Sequence, residues 1–155
     1  MASFAGMLDP GKTVLDVGSY DVNGTFRPLF QAHQYTGVDL AAGPNVDVVQ
    51  PSPFTLPFPD EAFDVVISGN MLEHCTMPWK MILEIDRVLK PGGLLAITTP
   101  WTIGYHAYPV DCWRLSPDAM TVLFGEWMTE NGRKPYIPLQ NRIDGIDTFY
   151  VGRKL

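Results

Sequence analysis

The chain has 155 residues, 46% of them apolar and 18% charged, which suits one core-bearing domain over residues 1–155 and excludes a disordered or fibrous chain. Seventeen acidic against eleven basic side chains give a formal charge of −6, a surface that repels phosphate backbones. Nucleic acid and anionic membrane are therefore not expected as partners. No apolar run approaches the roughly 18 residues that a membrane span needs. Met1–Leu8 lacks the basic-then-apolar pattern of a secretory leader, so a cytoplasmic protein is expected. Cys75 and Cys112 lack metal-ligand spacing and read as reduced thiols, and no metal site is expected.

In chain order, the first apolar, β-branched segment is Thr13–Val17, followed by a short helix over Gly24–Gln31 whose length Pro28 limits. Tyr35–Asp39 is the second strand and Val46–Val49 a weaker third. About six residues separate them, fewer than a parallel crossover usually uses. Gln50–Asp60 carries Pro51, Pro53, Pro57 and Pro59 and cannot be helical. Phe63–Ser68 and Leu94–Thr99 are the next strands. Between them, Pro78–Leu89 has a mostly helical apolar period, with Pro78 in the first turn and Lys90-Pro91-Gly92-Gly93 as its stop. Pro117–Phe124, capped by Ser116, predicts another helix, and Asp147–Arg153 a closing strand.

Strand, helix, strand in that order sets an α/β class: a Rossmann-like, mostly parallel sheet with flanking helices. The fold is trimmed, because the crossover helix after the second strand is missing. Sheet surface left bare by that loss would favour a partner copy, hence a homodimer.

Ligands of open α/β sheets sit beyond the carboxyl ends of the strands. Here the first strand runs into Gly18-Ser19, where a glycine lets the backbone approach a ligand. The second ends at Asp39, about 20 residues on, where a carboxylate can accept both hydroxyls of a ribose. The alternative for Asp39 is a cap on the turn before Ala41.

The runs VLDVGS, YTGVDL, FDVVISGNMLEH and LKPGGLLAITTP, in this order, resemble the class I S-adenosylmethionine-dependent methyltransferases, and most of all their small-molecule branch. The later YHAYPVDCWRLSP is similar to a subgroup with a His-x-Tyr-Pro, Asp, Trp-Arg pattern. The resemblance covers about Val14 to Pro117. It implies S-adenosylmethionine as cofactor, with Asp16, Gly18, Ser19 and Asn70 near its methionine part. Asp39 would hold its ribose, and Leu40 would lie against adenine. Glu73 and His74 match a pair at the mouth of the active site. Two departures stand out. Tyr20 and Val22 occupy the second and third glycine positions of the first loop. Ser52 stands where relatives place an acid for the adenine amino group, leaving that contact to backbone amides or Phe54.

Methyl transfer is an in-line displacement on an already activated methyl, so the protein must align the nucleophile and take its proton. His106 and His74 are the candidate bases, His106 first, since imidazole titrates near neutral pH. Around His106, Tyr105, Asp111, Trp113 and Arg114 are candidate contacts for a small-molecule acceptor such as a sugar or glycan-pathway intermediate. The rival for these is a core Trp113 and an Asp111–Arg114 pair that fixes the loop. At the level of function, the rival is a cofactor-binding regulatory module without turnover. A nicotinamide dehydrogenase lacks support, because the first turn is not G-x-G-x-x-G.

Overall fold

A computed structural model describes residues 1–155. Seven strands form one sheet in the order β3-β2-β1-β4-β5-β7-β6. They are β1 (Thr13–Val17), β2 (Gln34–Asp39), β3 (Val48–Val49), β4 (Phe63–Gly69), β5 (Leu89–Pro100), β6 (Ile137–Asp144) and β7 (Asp147–Arg153). The first five are mutually parallel, and β7 and β6 close the sheet antiparallel. The Rossmann-like expectation holds. Strand order reverses between β1 and β4, so the carboxyl ends of β1, β2, β4 and β5 meet along one edge at the switch point.

Strand alternation sorts the core into two layers. Leu15, Val17, Val66, Leu95 and Ile97 face α2 (Pro78–Val88), which contributes Met81, Ile82 and Ile85. Val14, Val65, Ile67, Ala96, Phe149 and Val151 face the other way, onto Phe4 and Phe30. Phe4 comes from a four-residue turn of helix, α1 (Ala2–Ala5), and Phe30 from a 3₁₀ turn, Arg27–Phe30. These two aromatics replace the missing crossover helices. The sheet face expected to be bare is therefore covered within the chain, and it offers no reason for a partner copy.

Several boundaries differ from the sequence expectation. The helix over Gly24–Gln31 is only the Arg27–Phe30 turn, because Pro28 leaves too little chain beyond it. β3 is two residues long and pairs parallel with β2 with no helix between them. The α2 helix ends at Val88, and Lys90–Gly93 is not a loop before β5 but a bulge inside it. Leu89 already pairs with Phe63, and regular pairing resumes at Leu94. The helix from Pro117 runs beyond Phe124, as α3 (Pro117–Val122), a π turn (Leu123–Trp127) and α4 (Met128–Glu130). β6 was not expected. Its signal is Asp144-Gly145, where Gly145 at φ 66° opens a two-residue hairpin turn into β7.

The proline-rich connection after β3 is irregular, and side chains of α2 satisfy three of its backbone groups. Glu84 accepts from Leu56 N–H at 2.9 Å, and Arg87 donates to the carbonyls of Leu56 and Phe58 at 2.9 and 2.8 Å. No helix is long and apolar enough to cross a membrane.

Candidate functional site

The edge begins at the turn after β1. Gly18 has φ 81°, a region open to glycine at little cost, and a Cβ there would lie 2.5 Å from Met71 Cβ. The Gly18 and Ser19 amides both donate to Val38 O, at 2.9 and 3.1 Å. Ser19 is buried, and its hydroxyl donates to Asn45 O at 3.1 Å, while Asn45 Nδ2 donates back to Ser19 O at 2.8 Å. The turn is thus clamped from two sides. Gly18→Ala should destabilise the protein by about 1–3 kcal/mol through backbone strain and the Met71 contact. A thermal midpoint equal to the parent's would show that the turn is free to rearrange.

Asp39 closes β2 with both oxygens engaged. Oδ1 accepts from Leu40 N–H at 2.7 Å and Ala41 N–H at 3.4 Å, and Oδ2 accepts from Tyr20 N–H at 3.1 Å. It caps the turn before Ala41 and at the same time ties the first loop to the second. A carboxylate has about four lone-pair sites, so capacity for a ligand hydroxyl remains. Tyr20 packs its ring on Gly43. A small hollow lies between Gly18–Tyr20 and Gly24–Phe26, with Asp16, Asn45 and Gly69 on its wall.

Asp16 is buried, and the Tyr35 hydroxyl donates to its Oδ2. Desolvation outweighs that bond and raises its pKa from 3.8 to about 6. The folded chain therefore holds a proton that the unfolded chain releases between about pH 4 and 6. This group's contribution to stability falls as pH rises through that window and returns on acidification. Asp16→Asn should remove this dependence, so the variant gains on the parent as pH rises from 4 to 7 in chemical denaturation. A pH-independent gap between the two would mean that Asp16 titrates normally.

Beyond β4 the chain turns at Asn70, in the left-handed region at φ 51°, with its N–H donating to Thr98 O at 2.9 Å. A 3₁₀ turn, Leu72–His74, follows. Glu73 is 0% exposed, and burial raises its pKa above the ordinary carboxylate range. Its Oε2 accepts from Thr99 Oγ1 at 3.3 Å, while Oε1 has no hydrogen-bond partner. His74 Nε2 lies 3.7 Å from that Oε1, and His74 Nδ1 faces Val110 O at 2.5 Å. His106 meets His74 edge to face, with ring centroids 5.2 Å apart.

Within the loop after β5, one ion pair fixes the local shape. Asp111, its side chain 1% exposed, takes a fork from Arg114 at 2.6 and 2.8 Å and accepts from His106 N–H at 2.7 Å. Hydrogen bonding to Arg114 holds the Asp111 carboxyl well below its ordinary range. Arg114 also donates to Ile103 O and Gly104 O, at 3.0 and 2.9 Å.

The methyltransferase-domain family matches residues 15–97, more than half of the chain, from within β1 to within β5. The chain belongs to that family. An uncharacterized methyltransferase from Mycobacterium sp. (strain KMS) is 39% identical in an alignment 103 residues long that covers 59% of this chain and 40% of that protein. The chain thus spans about two-fifths of the length of such curated relatives. Among solved structures, a SAM-dependent methyltransferase from Aquifex aeolicus superposes with TM-score 0.69 at 19% identity, over 96% of this chain and 85% of that one. The Burkholderia thailandensis 1,6-didemethyltoxoflavin-N1-methyltransferase, solved with bound 1,6-didemethyltoxoflavin and S-adenosylhomocysteine, does so with TM-score 0.69 at 19% identity. That match covers 99% of this chain and 76% of the other. At such identities the structures share the fold.

Within this methyltransferase domain, the predicted residues separate into groups. Asp16, Gly18, Ser19 and Asp39 share one edge with Asn70, and Leu40 beside Asp39 is 52% exposed. Ser52 sits in the β3–β4 connection, its hydroxyl donating to Thr55 Oγ1 at 2.9 Å. His74 and His106 come together, 32 residues apart in sequence. Tyr105 is 81% exposed. Trp113 packs on the core, donates Nε1–H to Cys75 O at 2.9 Å and meets Trp79 edge to face. Asp111 and Arg114 engage each other. Sequence reasoning missed the network behind the site: Tyr35 on Asp16, Asn45 Nδ2 donating to Tyr35 Oη at 3.2 Å, and Arg27 Nε donating to Asn45 Oδ1 at 2.6 Å. The Gly43-Pro44-Asn45 turn was its one visible signal, with Asn45 at φ 66°.

Proposed function

We propose that this chain transfers a methyl group from S-adenosylmethionine to an oxygen or nitrogen of a small molecule, such as a sugar or glycan-pathway intermediate. One observation carries the reading. A single sheet edge brings an acid at the end of β2 and a glycine turn after β1 together with two imidazoles beyond β4 and β5. The family match and the named methyltransferases among its relatives support it.

The residues along this edge suit the cofactor. Asp39 keeps acceptor capacity for a ribose, the Gly18–Ser19 turn has no side chain at its closest point, and buried Asp16 would face an ammonium group once ionised. Asn70 would border the methionine part, and Leu40 and Ser52 the adenine. When bound, the cofactor supplies a methyl activated by its positive sulfonium. The chain then has to hold the acceptor and receive its proton. Engagement of each Nδ1 with a backbone carbonyl, His74 with Val110 and His106 with Gly104, leaves an Nε2 lone pair on each ring for that proton. Asp111 and Arg114 fix the loop that carries His106, and Tyr105 is the side chain most free to meet an acceptor. Trp113 would act by holding that loop to Cys75.

Titration calorimetry with S-adenosylmethionine and S-adenosylhomocysteine tests the reading: both should bind, and methyl transfer should follow with an acceptor. Absence of heat from both at about millimolar concentration would remove it. The regulatory alternative draws on Tyr20 and Val22, which replace loop glycines, and it predicts binding without turnover on a broad acceptor panel. A homodimer would use the outer edge of β6, where Ile137, Leu139 and Ile143 are exposed. A cytoplasmic setting fits two free cysteines.

A further inference from the structure

The paired histidines and the buried glutamate beside them have a geometry that proton transfer alone leaves unexplained. Glu73 is fully enclosed, yet its Oε1 has no hydrogen-bond donor, a costly state for a carboxylate oxygen. His74 Nε2 stands 3.7 Å from that oxygen. One ligand atom from each of Glu73, His74 and His106 lies within 4.8 Å of the other two. His74 Nδ1 faces Val110 O at 2.5 Å, and His106 Nδ1 faces Gly104 O at 3.0 Å with Asp111 Oδ2 and Arg114 Nη2 at 3.5 and 3.4 Å; with the proton on Nδ1, each ring offers Nε2 to a ligand. An imidazole that donates from one nitrogen to a backbone carbonyl while the other is free is the arrangement seen in metal-ligating histidines.

We propose that Glu73, His74 and His106 form a binding site for a divalent transition-metal cation, with zinc as the best match. Two imidazole nitrogens and one carboxylate oxygen suit zinc better than magnesium or calcium, which prefer all-oxygen shells. Metal–ligand distances of about 2.0–2.2 Å place ligand atoms somewhat closer than the observed 4.8 Å limit, so the site contracts by roughly an ångström on binding. His106 is pinned at its N–H by Asp111 while its side chain is 34% exposed, so the ring makes this movement and the loop stays in place. Three protein ligands leave at least one coordination position open towards the acceptor side. An acceptor hydroxyl held there becomes acidic: its O–H bond breaks, the proton passes to water, and the oxygen stays on the cation as the nucleophile. The imidazoles then serve as ligands instead of taking the proton. That use of the cation rests on the methyl-transfer reading, whereas its binding does not.

The test titrates zinc chloride and cobalt(II) chloride into chelator-treated protein, by calorimetry and by the visible absorption of bound cobalt. The expected result is one cation per chain, with the intense bands of a four- or five-coordinate cobalt ion. His106→Ala, His74→Ala and Glu73→Gln should each weaken binding by more than about tenfold. His33→Ala and the double variant Cys75→Ser/Cys112→Ser should bind like the parent. His106→Ala alters an exposed loop, and circular dichroism confirms its fold if Glu73→Gln fails to express. No cobalt spectrum, binding that survives loss of both histidines, or binding lost with the cysteines would overturn the site. None of these results touches cofactor binding, which calorimetry with S-adenosylhomocysteine reads separately.

Discussion

His106→Ala lowers methyl-transfer turnover by about 10²–10⁴-fold, the contribution of a positioned group that handles a proton in the transition state. The dissociation constant for S-adenosylhomocysteine stays at the parent value. The reason for the separation is spatial. His106 hangs on the loop after β5, tied by its N–H to Asp111 and by its ring to Gly104 O. The residues suited to a nucleoside lie on the other side of the switch point, at the ends of β1 and β2. Whether the proton goes to the imidazole or leaves a cation-held hydroxyl, Nε2 of His106 is required. Single-turnover rates and calorimetry on the same preparation provide the check. An equal loss of turnover and cofactor affinity would make His106 a structural residue. His74→Ala is less clean, because Nδ1 of His74 also anchors the loop at Val110 O.

Asp39→Ala weakens cofactor binding by about 1.5–3 kcal/mol, the range for hydrogen bonds to a charged group. That corresponds to roughly 10- to 150-fold in the dissociation constant. The structure adds a second consequence. The same carboxylate accepts from Leu40, Ala41 and Tyr20, so its removal also frees the first loop from the second. Asp39→Asn separates the two effects. Its carbonyl oxygen can still accept from Leu40 N–H, but its amide cannot accept from Tyr20 N–H and offers a weaker acceptor to a diol. Affinity should therefore fall for both variants, and thermal stability more for alanine. A dissociation constant unchanged in either variant would mean that the ribose is held elsewhere.

Much of this architecture is written locally. The β-branched runs of β1, β2 and β4 announce strands covered on both faces, and Pro78 with the apolar period behind it announces α2. Four prolines rule out a helix between β3 and β4. Where the local code is thin, distant partners decide the structure. Lys90-Pro91-Gly92-Gly93 looks like a loop, yet pairing of Leu89 with Phe63 makes it a bulge, because the neighbouring strand supplies partners that no local pattern reveals. β6 is an edge strand with mostly exposed side chains, so it lacks the apolar alternation that would have marked it.

The candidate site divides in the same way. Gly18 and Asp39 are legible because a close backbone approach and an acid closing a strand are properties of single positions at strand ends. Local residue order alone thus determined the α/β class, the family resemblance and the edge on which chemistry could occur. Tertiary packing decided which side chains are consumed and which are left free. It spends Asp111 and Arg114 on each other, turns Trp113 into the core, and sets a buried Glu73 beside two histidines from separate loops. Burial and partner count depend on contacts between distant segments, and desolvation makes those contacts decide the charge and reactivity of each group.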